Sequence, residues 1–262
     1  MSRMKFEGLL ENEFTLSDKV LRSKNGTDSG VIDVPVENLI LDEENITIFG
    51  DFNQDSIDSL SKDIENDGFK GTILAYPIRK DGDLQFYQIE SGHKRYLAAK
   101  QAGLKKVPVI VTEIPKSDAE RRLRLISMNL HTRETPKPSI LANEAAILLN
   151  SIRELREEEG LSTDMTTLTQ LVAERMERST KAIEKYRQFK KLIPKLQDLA
   201  DEGASWSALV NCSSLSPERQ EMIAFKIRNE AETVGVENIS RQWILNLIAK
   251  ARNEELGEID II

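Results

Sequence analysis

The segment that most constrains the fold is residues 89–111, which read IESGHKRYLAAKQAGLKKVPVIV. An apolar strand runs into Gly92, and a helix is predicted over about residues 93–102. Gly103 closes that helix before a second apolar strand at 107–111. The sequence therefore predicts a strand-turn-helix-strand unit, which is typical of a domain that mixes helices with a sheet.

The turn at Gly92 carries the chemistry of this unit. Glycine reaches backbone angles closed to other residues and lets a ligand approach the main chain, and the free amides of a helix start attract anions. His93, Lys94 and Arg95 add side-chain donors at the same place. A phosphate group fits this pattern, and so does a plain tight turn followed by a solvated basic helix.

The segments around this unit complete a small α+β domain that ends near Glu113. Their predicted ranges are 34–41, 72–79 and 84–89 for strands and 56–66 for a helix. We expect Asp55 or Ser56 to cap the helix, and an Asp-Gly pair at 81–82 to turn the hairpin between the second and third of these strands.

Composition places this domain in a longer, helix-rich chain. The chain has 262 residues, of which 31% are charged and 5% aromatic, and this favours two well-solvated domains over one large sheet core. No apolar run approaches the roughly 20 residues that span a bilayer, and no export signal is visible, so we expect a cytoplasmic protein without a membrane partner. We expect the single cysteine, Cys212, to be a buried spacer.

The second half of the chain predicts helices only. One begins at Ser117 or Asp118 and approaches Asn129, and another follows Pro138 and ends in the charged segment 153–160. Three more are predicted at 194–202, 217–232 and 240–252. The last of them has an apolar stripe that packs either on the helical domain or on another subunit.

Residues 166–191 have the apolar spacing of a helix-turn-helix, whose second helix enters the DNA major groove. Ser179 is a good cap for that helix, whereas Glu177 stands in the turn where many such motifs carry glycine. Between Arg175 and Lys195 there are eight cations and two acids, in a chain whose net charge is −8. This basic island points to a localised anionic partner, and two ordinary packed helices are the alternative.

The residues predicted to contact DNA follow from this motif. Short polar side chains at a helix start reach base edges, while lysines mostly contact phosphates. The predicted DNA contacts are Thr167 or Thr169 on the first helix and Ser179, Thr180, Lys181, Lys185, Arg187, Lys190 and Lys191 on the second.

Four segments, in the same order along the chain, resemble the ParB partition family. Residues 91–111 resemble its GERR-type box in the SGHRR variant, 68–79 the segment before that box, 129–138 its ENxQR box, and 166–191 its helix-turn-helix. The resemblance covers about residues 33–215. It implies an α+β fold, with a small ParB/sulfiredoxin-like N-terminal domain followed by an all-α helix-turn-helix domain and C-terminal helices.

The resemblance also implies a division of the chain and a set of partners. The predicted parts are an N-terminal arm at 1–32, a nucleotide-binding domain at 33–115, connecting helices at 116–160, a helix-turn-helix domain at 161–215, and C-terminal helices at 216–262 as a candidate dimerisation region. The implied assembly is a homodimer on double-stranded DNA at a palindromic, centromere-like site, associated with the nucleoid or a plasmid. A ParA-type ATPase is the implied partner, and a plasmid, phage or mobile element the implied origin.

The ligand implied by the resemblance is CTP with Mg²⁺. Carried over by position, the nucleotide-binding residues are Thr72, Gly92, His93, Lys94, Arg95 and Asn129, and the metal ligands are Asn129 and, as a substitute, Glu134. The chain departs from the family boxes at three positions, because His93 replaces a glutamate, Leu97 an arginine and Met128 a glutamate. Magnesium prefers oxygen ligands, so CTP binding is expected more firmly than CTP hydrolysis.

Three functions stay open at this point. The first is a nucleotide-gated DNA clamp that acts in plasmid or chromosome segregation. The second is a helix-turn-helix transcriptional regulator whose ParB-like domain lacks nucleotide turnover. The third is an enzyme on the same fold, a nuclease or a nucleotide-dependent kinase, for which Glu90 is the only acid next to the basic turn. Nucleotide-binding and DNA-binding measurements separate these hypotheses.

Overall fold

The computed structural model describes residues 30–130 and 136–253. The chain divides into two compact units, one formed by residues 1–129 with 154–162 and the other by 130–153 with 163–262. Most of the predicted N-terminal arm and the last nine residues lie outside the described ranges. Within those ranges, no helix is long and apolar enough to cross a bilayer.

The N-terminal unit is built on a five-stranded sheet with the order β1-β5-β3-β4-β2. The strands are β1 (Val31–Pro35), β2 (Leu39–Ile40), β3 (Ile73–Asp81), β4 (Leu84–Ser91) and β5 (Lys106–Val111). The pairs β1–β5 and β3–β4 are antiparallel, whereas β3–β5 and β2–β4 are parallel. A mixed sheet with its own helices confirms the predicted α+β class.

Between residues 30 and 129 of this unit, a range that the structure describes, there are four helices. They are α1 (Glu43–Phe49), α2 (Gln54–Asp67), α3 (His93–Gln101) and α4 (Asp118–Ser127). The side chains of Asp42, Asn53 and Ser117 cap α1, α2 and α4 by accepting hydrogen bonds from first-turn amides. Helix α3 begins instead at Gly92, which offers no capping side chain. Gly68 ends α2, as predicted.

The hydrophobic core of this unit fixes the segment around Gly92. Its buried members include Ile57, Ile64, Ile73, Ala75, Ile89, Tyr96, Ala98, Ala99, Val107 and Val109. They come from β3, β4 and β5 on one side and from α2 and α3 on the other. Burying a large aliphatic side chain contributes roughly 1.5–3 kcal/mol, so the strand before the turn and the helix after it are both held firmly.

Three features of the N-terminal unit differ from the sequence prediction. The strand predicted at 34–41 is broken by a 3-10 turn at Val36–Asn38, so that β1 and β2 lie at opposite edges of the sheet. Helix α1 was not predicted, because its seven residues are too few to show a helical period. Asn53 caps α2 in place of the predicted Asp55 or Ser56.

The described residues of the C-terminal unit form helices and 3-10 turns, which confirms the predicted all-α part. The helices are α5 (Pro138–Glu158), α6 (Met165–Arg175), α7 (Thr180–Phe189), α8 (Pro194–Asp201), α9 (Trp206–Leu209), α10 (Pro217–Val234) and α11 (Arg241–Arg252). The first residues of α5 are grouped with this unit and its last turn with the other.

Helices α6 and α7 form the predicted pair. Ser179 caps α7, and its Oγ accepts a hydrogen bond from the Ala182 amide at 3.2 Å. Ile183, Tyr186 and Phe189 are the buried side chains of α7, and the Tyr186 ring stacks on Trp206 with 5.3 Å between ring centroids. One face of α7 is therefore fixed in the core and the opposite face is left to solvent.

The apolar stripe of α11 packs within the chain. Ile244, Leu247 and Ile248 are buried, and α11 packs against α9 and α10. Cys212 is fully buried in the same unit, and this burial raises the pKa of its thiol to about 12. A thiol that stays protonated is a poor nucleophile, so Cys212 matches the buried spacer that was expected.

The turn between α6 and α7 places a charged residue in a conformation that favours glycine. Glu177 has φ +51, the left-handed region, which costs a side-chain-bearing residue roughly 1–2 kcal/mol. We expect Glu177→Val to lower the free energy of unfolding by at least about 1 kcal/mol, because a β-branched residue tolerates this region poorly. Glu177→Gly is the matched control and is expected to be neutral or stabilising. Urea unfolding of the three proteins measures both effects, and equal stability of the valine and glycine variants would contradict the assignment.

Candidate functional site

The turn between β4 and α3 presents main-chain donors. Gly92 has φ +96, and its carbonyl accepts a hydrogen bond from the Tyr96 amide at 2.9 Å, which closes the first turn of α3. The amides at the start of a helix have no partner within the helix, and at α3 neither a capping side chain nor an acidic residue in the first turn offers one. The helix start is therefore an uncompensated positive end.

Arg95 brings its guanidinium to this turn, between two glycines. A Cβ added at Gly71 would lie 2.7 Å from Arg95 Nη1, and one added at Gly92 would lie 3.5 Å from Arg95 Nη2. Gly71 also has φ +90, so a side chain there would be strained by the backbone and would displace the Arg95 guanidinium. The planar group thus lies close to the backbone at Gly71 and in ordinary contact distance of Gly92, where the positive φ favours glycine.

The guanidinium of Arg95 lacks an anion. Within residues 30–130 and 136–253 it makes no hydrogen bond or ion pair. It is partly buried, and burial lowers its pKa, although an arginine stays protonated at neutral pH. Burying part of a cation without a counter-charge costs free energy. An anion that binds here would compensate the charge of Arg95, and this favours its binding.

Two other predicted residues flank this position. Lys94 is exposed in the first turn of α3, and Thr72 is half-buried just before β3, adjacent to Gly71. Gly71 was missed by the sequence prediction, although the Gly-Thr pair that leads into a strand was visible. Only the fold brings Gly71 next to Arg95, which lies 24 positions later in the chain.

His93 differs from the expected third cation of the turn. It is 4% exposed, its ring stacks on Phe52 with 6.2 Å between centroids, and its Nδ1 lies 3.4 Å from Asn45 Nδ2. Burial lowers its pKa to about 4, and only the charge of Asp42 opposes that shift. The imidazole is therefore neutral at pH 7, so Lys94 and Arg95 supply the charge. A role of His93 in nucleotide binding stays a prediction.

The burial of His93 makes stability depend on pH. The unfolded chain takes up this proton near pH 6.5 and the folded chain near pH 4, so the unfolded state binds more protons in between. The stabilisation is complete above pH 6.5 and is lost as pH falls toward 4, up to about 3 kcal/mol. We expect urea unfolding at pH 7 and 4.5 to show a loss about 2–3 kcal/mol larger in the wild type than in His93→Gln. Equal losses would contradict the buried neutral state.

Helix α4 is anchored next to the turn through a buried carboxylate. Glu90, two residues before Gly92, is 4% exposed, and it accepts a hydrogen bond from Thr112 Oγ1 at 2.5 Å. Arg124 on α4 lies 3.4 Å from the Glu90 carboxylate and 2.6 Å from Glu120. Burial raises the pKa of Glu90, while Arg124 compensates its charge. Glu90 thus has a structural role, because its carboxylate binds Thr112 and Arg124.

A second charged cluster joins α1 to α4. Arg121 lies 2.7 Å from Asp42 and 2.9 Å from Glu44, and these carboxylates raise its pKa against the opposing effect of burial. Asp42 is at the same time the cap of α1. The helix that precedes the ENxQR-like box is therefore held at two points within the N-terminal unit.

The predicted metal ligands have different outcomes. Asn129 follows α4, and its Nδ2 donates to the Leu125 carbonyl at 2.7 Å, which helps to end the helix. Glu134 lies outside the described residues. Among the residues that the structure does describe, no group of three or more histidine, cysteine and acidic side chains is arranged to hold a metal ion. Metal binding by Asn129 and Glu134 stays a prediction.

The second candidate site is the exposed face of α7. Ser179, Thr180, Lys181, Lys185, Arg187, Lys190 and Lys191 are all exposed. Lys190 donates to Asn143 Oδ1 at 2.6 Å, and Thr167 Oγ1 donates to the Asp164 carboxylate at 2.6 Å. Thr169 is buried, so Thr167 is the more exposed of the two predicted alternatives, and a phosphate contact by either stays a prediction. The structure thus places the predicted residues of α7 on the solvent side.

Comparison with known proteins gives one family. Residues 22–129 match the family described as the ParB N-terminal domain. The chromosome-partitioning protein ParB of Myxococcus xanthus is 34% identical over 91 residues, which are 35% of this chain and 28% of the relative. The probable chromosome-partitioning protein ParB of Rickettsia conorii is 26% identical over 203 residues, 77% of this chain and 62% of the relative. The match thus spans less than two thirds of either relative.

One solved structure agrees in fold. The C-terminally truncated chromosome-partitioning protein ParB from Caulobacter crescentus, complexed to the centromeric parS site, has a TM-score of 0.53 and 19% identity, and the match covers 84% of this chain and 99% of that chain. At this identity the likeness concerns the fold. Residues 22–129, which include the sheet, the Gly92 turn and α4, thus match the ParB N-terminal domain family, and the chain shares its fold with a solved ParB structure.

Proposed function

We propose that this protein is a DNA-binding partition protein that binds CTP at the Gly92 turn and holds a centromere-like DNA site with α7. The observation that carries the nucleotide half of the proposal is Arg95, a partly buried guanidinium without an anion, lying against Gly71 and Gly92. The exposed basic face of α7 carries the DNA half.

The turn suits a triphosphate for three reasons. The free amides of α3 point toward an approaching anion, and the helix dipole favours negative charge there. The fork of Arg95 donates several hydrogen bonds to phosphate oxygens at once. Glycine at positions 71 and 92 leaves the backbone accessible. The choice of CTP over other nucleotides rests on the family resemblance, as does the placement of Thr72 on the base side.

The DNA half of the proposal rests on charge and on exposure. Lys181 and Lys185 lie one turn apart on α7, at the start of which Ser179 and Thr180 are free to approach base edges. The Caulobacter relative is complexed to the centromeric parS site, which supports a centromere-like DNA site for this chain too, and the family resemblance implies that the site is palindromic. Such a site requires a homodimer, because its two halves are related by a two-fold axis.

The remaining parts of the proposal concern coupling and partners. CTP binding would regulate how the homodimer holds DNA, and a ParA-type ATPase would use the complex in plasmid or chromosome segregation in the cytoplasm. Mg²⁺, when bound, would neutralise triphosphate charge, and Asn129 offers an amide oxygen to it. Met128 offers only sulfur at the position of the family's glutamate, and sulfur is a poor ligand for Mg²⁺. The proposed function therefore includes CTP binding and does not depend on CTP hydrolysis.

A DNA-capture experiment tests the proposal as a whole. Wild-type protein is incubated with a random pool of double-stranded DNA, with and without CTP, and bound duplexes are sequenced. We expect a palindromic site to be enriched, and CTP, but not ATP, GTP or UTP, to change how long that site is held. Enrichment without any nucleotide effect would favour the transcriptional regulator, the candidate that Met128 supports. No enrichment in any condition would overturn both functions.

A further inference from the structure

Glu184 occupies the middle of the solvent face of α7. Ile183, Tyr186 and Phe189 fix the opposite face in the core. The exposed residues on either side of Glu184 on its own face are Thr180 and Lys181 one turn before it and Arg187 and Gln188 one turn after it. If the face that carries Lys181 approaches DNA, the Glu184 carboxylate approaches with it.

The carboxylate of Glu184 has no partner in the parts of the chain that the structure describes. It makes no hydrogen bond or ion pair there, although Lys181 lies three residues before it and Lys185 directly after it. Two other exposed acids of the same unit are paired, since Glu221 lies 2.8 Å from Lys195 and Glu202 lies 2.6 Å from Arg228. Glu184 thus keeps its acceptors available on a surface that is otherwise cationic.

A carboxylate on a DNA-binding face is repelled by phosphates, so a compensating contact has to come from a base. In the major groove, hydrogen-bond donors are the N4 amino group of cytosine and the N6 amino group of adenine. Adenine N6 lies beside the acceptor N7, which repels a carboxylate, whereas acidic side chains pair with cytosine N4. The electrostatics therefore favour cytosine.

We propose that Glu184 is a specificity-determining residue that accepts a hydrogen bond from cytosine N4 at one position of each half-site. The inference rests on the proposed DNA-binding function and adds to it the identity of one base pair. It also gives the acid a role that the lysines lack, because Lys181 and Lys185 attract every sequence alike while Glu184 penalises all but one base.

The test compares the base preferences of variants. Random double-stranded DNA is selected with wild type, Glu184→Ala, Glu184→Gln and the control Glu174→Gln, which removes an exposed charge from α6. We expect the wild type to select a C·G pair at one position of each half-site, and Glu184→Ala to lose that preference by about 10-fold there and nowhere else. Glu184→Gln is expected to shift it toward A·T, because glutamine pairs with adenine. Glu174→Gln is expected to keep the wild-type profile.

Two outcomes count against the assignment in different ways. In the first, Glu184→Ala keeps the wild-type base preference at every position, and its affinity changes uniformly, as in Glu174→Gln. This result would overturn the role of Glu184 and leave the proposed function intact. A wild type that selects no sequence would overturn the proposed function, and the assignment with it. Circular dichroism of the variants checks the fold, which an exposed substitution is expected to preserve.

Discussion

Replacing Arg95 with alanine is expected to weaken CTP binding by at least about 100-fold, because a hydrogen bond to a charged group contributes roughly 1.5–3 kcal/mol and the fork of Arg95 supplies two or more of them. The fold is expected to survive, since Arg95 makes no hydrogen bond or ion pair with the described residues. Isothermal titration of each protein with CTP measures the effect, and urea unfolding confirms that the variant is folded.

Three matched variants sharpen this result. Arg95→Lys keeps the charge but loses the planar fork, so an intermediate affinity is expected. Lys94→Ala removes an exposed cation and is expected to cost only a few-fold, as surface charges are screened. Gly71→Ala places a Cβ 2.7 Å from Arg95 Nη1 and should displace the guanidinium. If folded Arg95→Ala binds CTP as tightly as the wild type, the site is misassigned.

The double variant Lys181→Ala, Lys185→Ala is expected to lose most of its DNA affinity. Its remaining affinity is expected to depend less on salt than that of the wild type. Each phosphate contact releases counterions and contributes about 0.9 to the slope of log affinity against log salt. Loss of two contacts should therefore reduce that slope by about 1.8, and affinity at moderate salt by about 10–100-fold. Fluorescence anisotropy with duplex DNA between about 50 and 200 mM salt measures both quantities.

Lys250→Ala is the control for charge alone, because Lys250 is exposed on α11 in the same unit. It is expected to leave the salt slope unchanged. If the slope of log affinity against log salt falls equally in the control and in the double variant, DNA binding depends only on the net charge of the protein. An unchanged slope in the double variant would remove α7 from the interface.

Local signals were sufficient to predict most of the elements. The apolar strand before Gly92, the helical spacing of α7 and the cap at Ser179 depend on neighbouring residues, and each is found in the structure. Glu177 had seemed to conflict with a tight turn, yet it adopts the left-handed angles that glycine would take. The preference for glycine at positive φ is not followed at Glu177, which costs backbone strain there. The two helices of the predicted pair nevertheless form on either side of the turn.

The parts that were not predicted depend on contacts distant in sequence. Nothing near Arg95 indicates that Gly71 lies against its guanidinium. Nothing near His93 indicates that Phe52 and Asn45 bury it and make it neutral. The ion pair of Arg121 with Asp42 spans 79 positions, and single-sequence periodicity carries no information on such pairs. The anion-binding character of the turn could thus be predicted from the sequence, but the residues that surround Arg95 and His93 could not.

The central claim is that a triphosphate binds at the start of α3, and amide hydrogen exchange with and without CTP tests it most directly. Without CTP, the amides of residues 93–95 lack helical partners and should exchange quickly. With saturating CTP, we expect exchange at these amides and at Gly71 and Thr72 to slow at least about 10-fold, while α11 stays unchanged. Bound CTP that leaves the amides of residues 93–95 unprotected and slows exchange elsewhere would contradict the account.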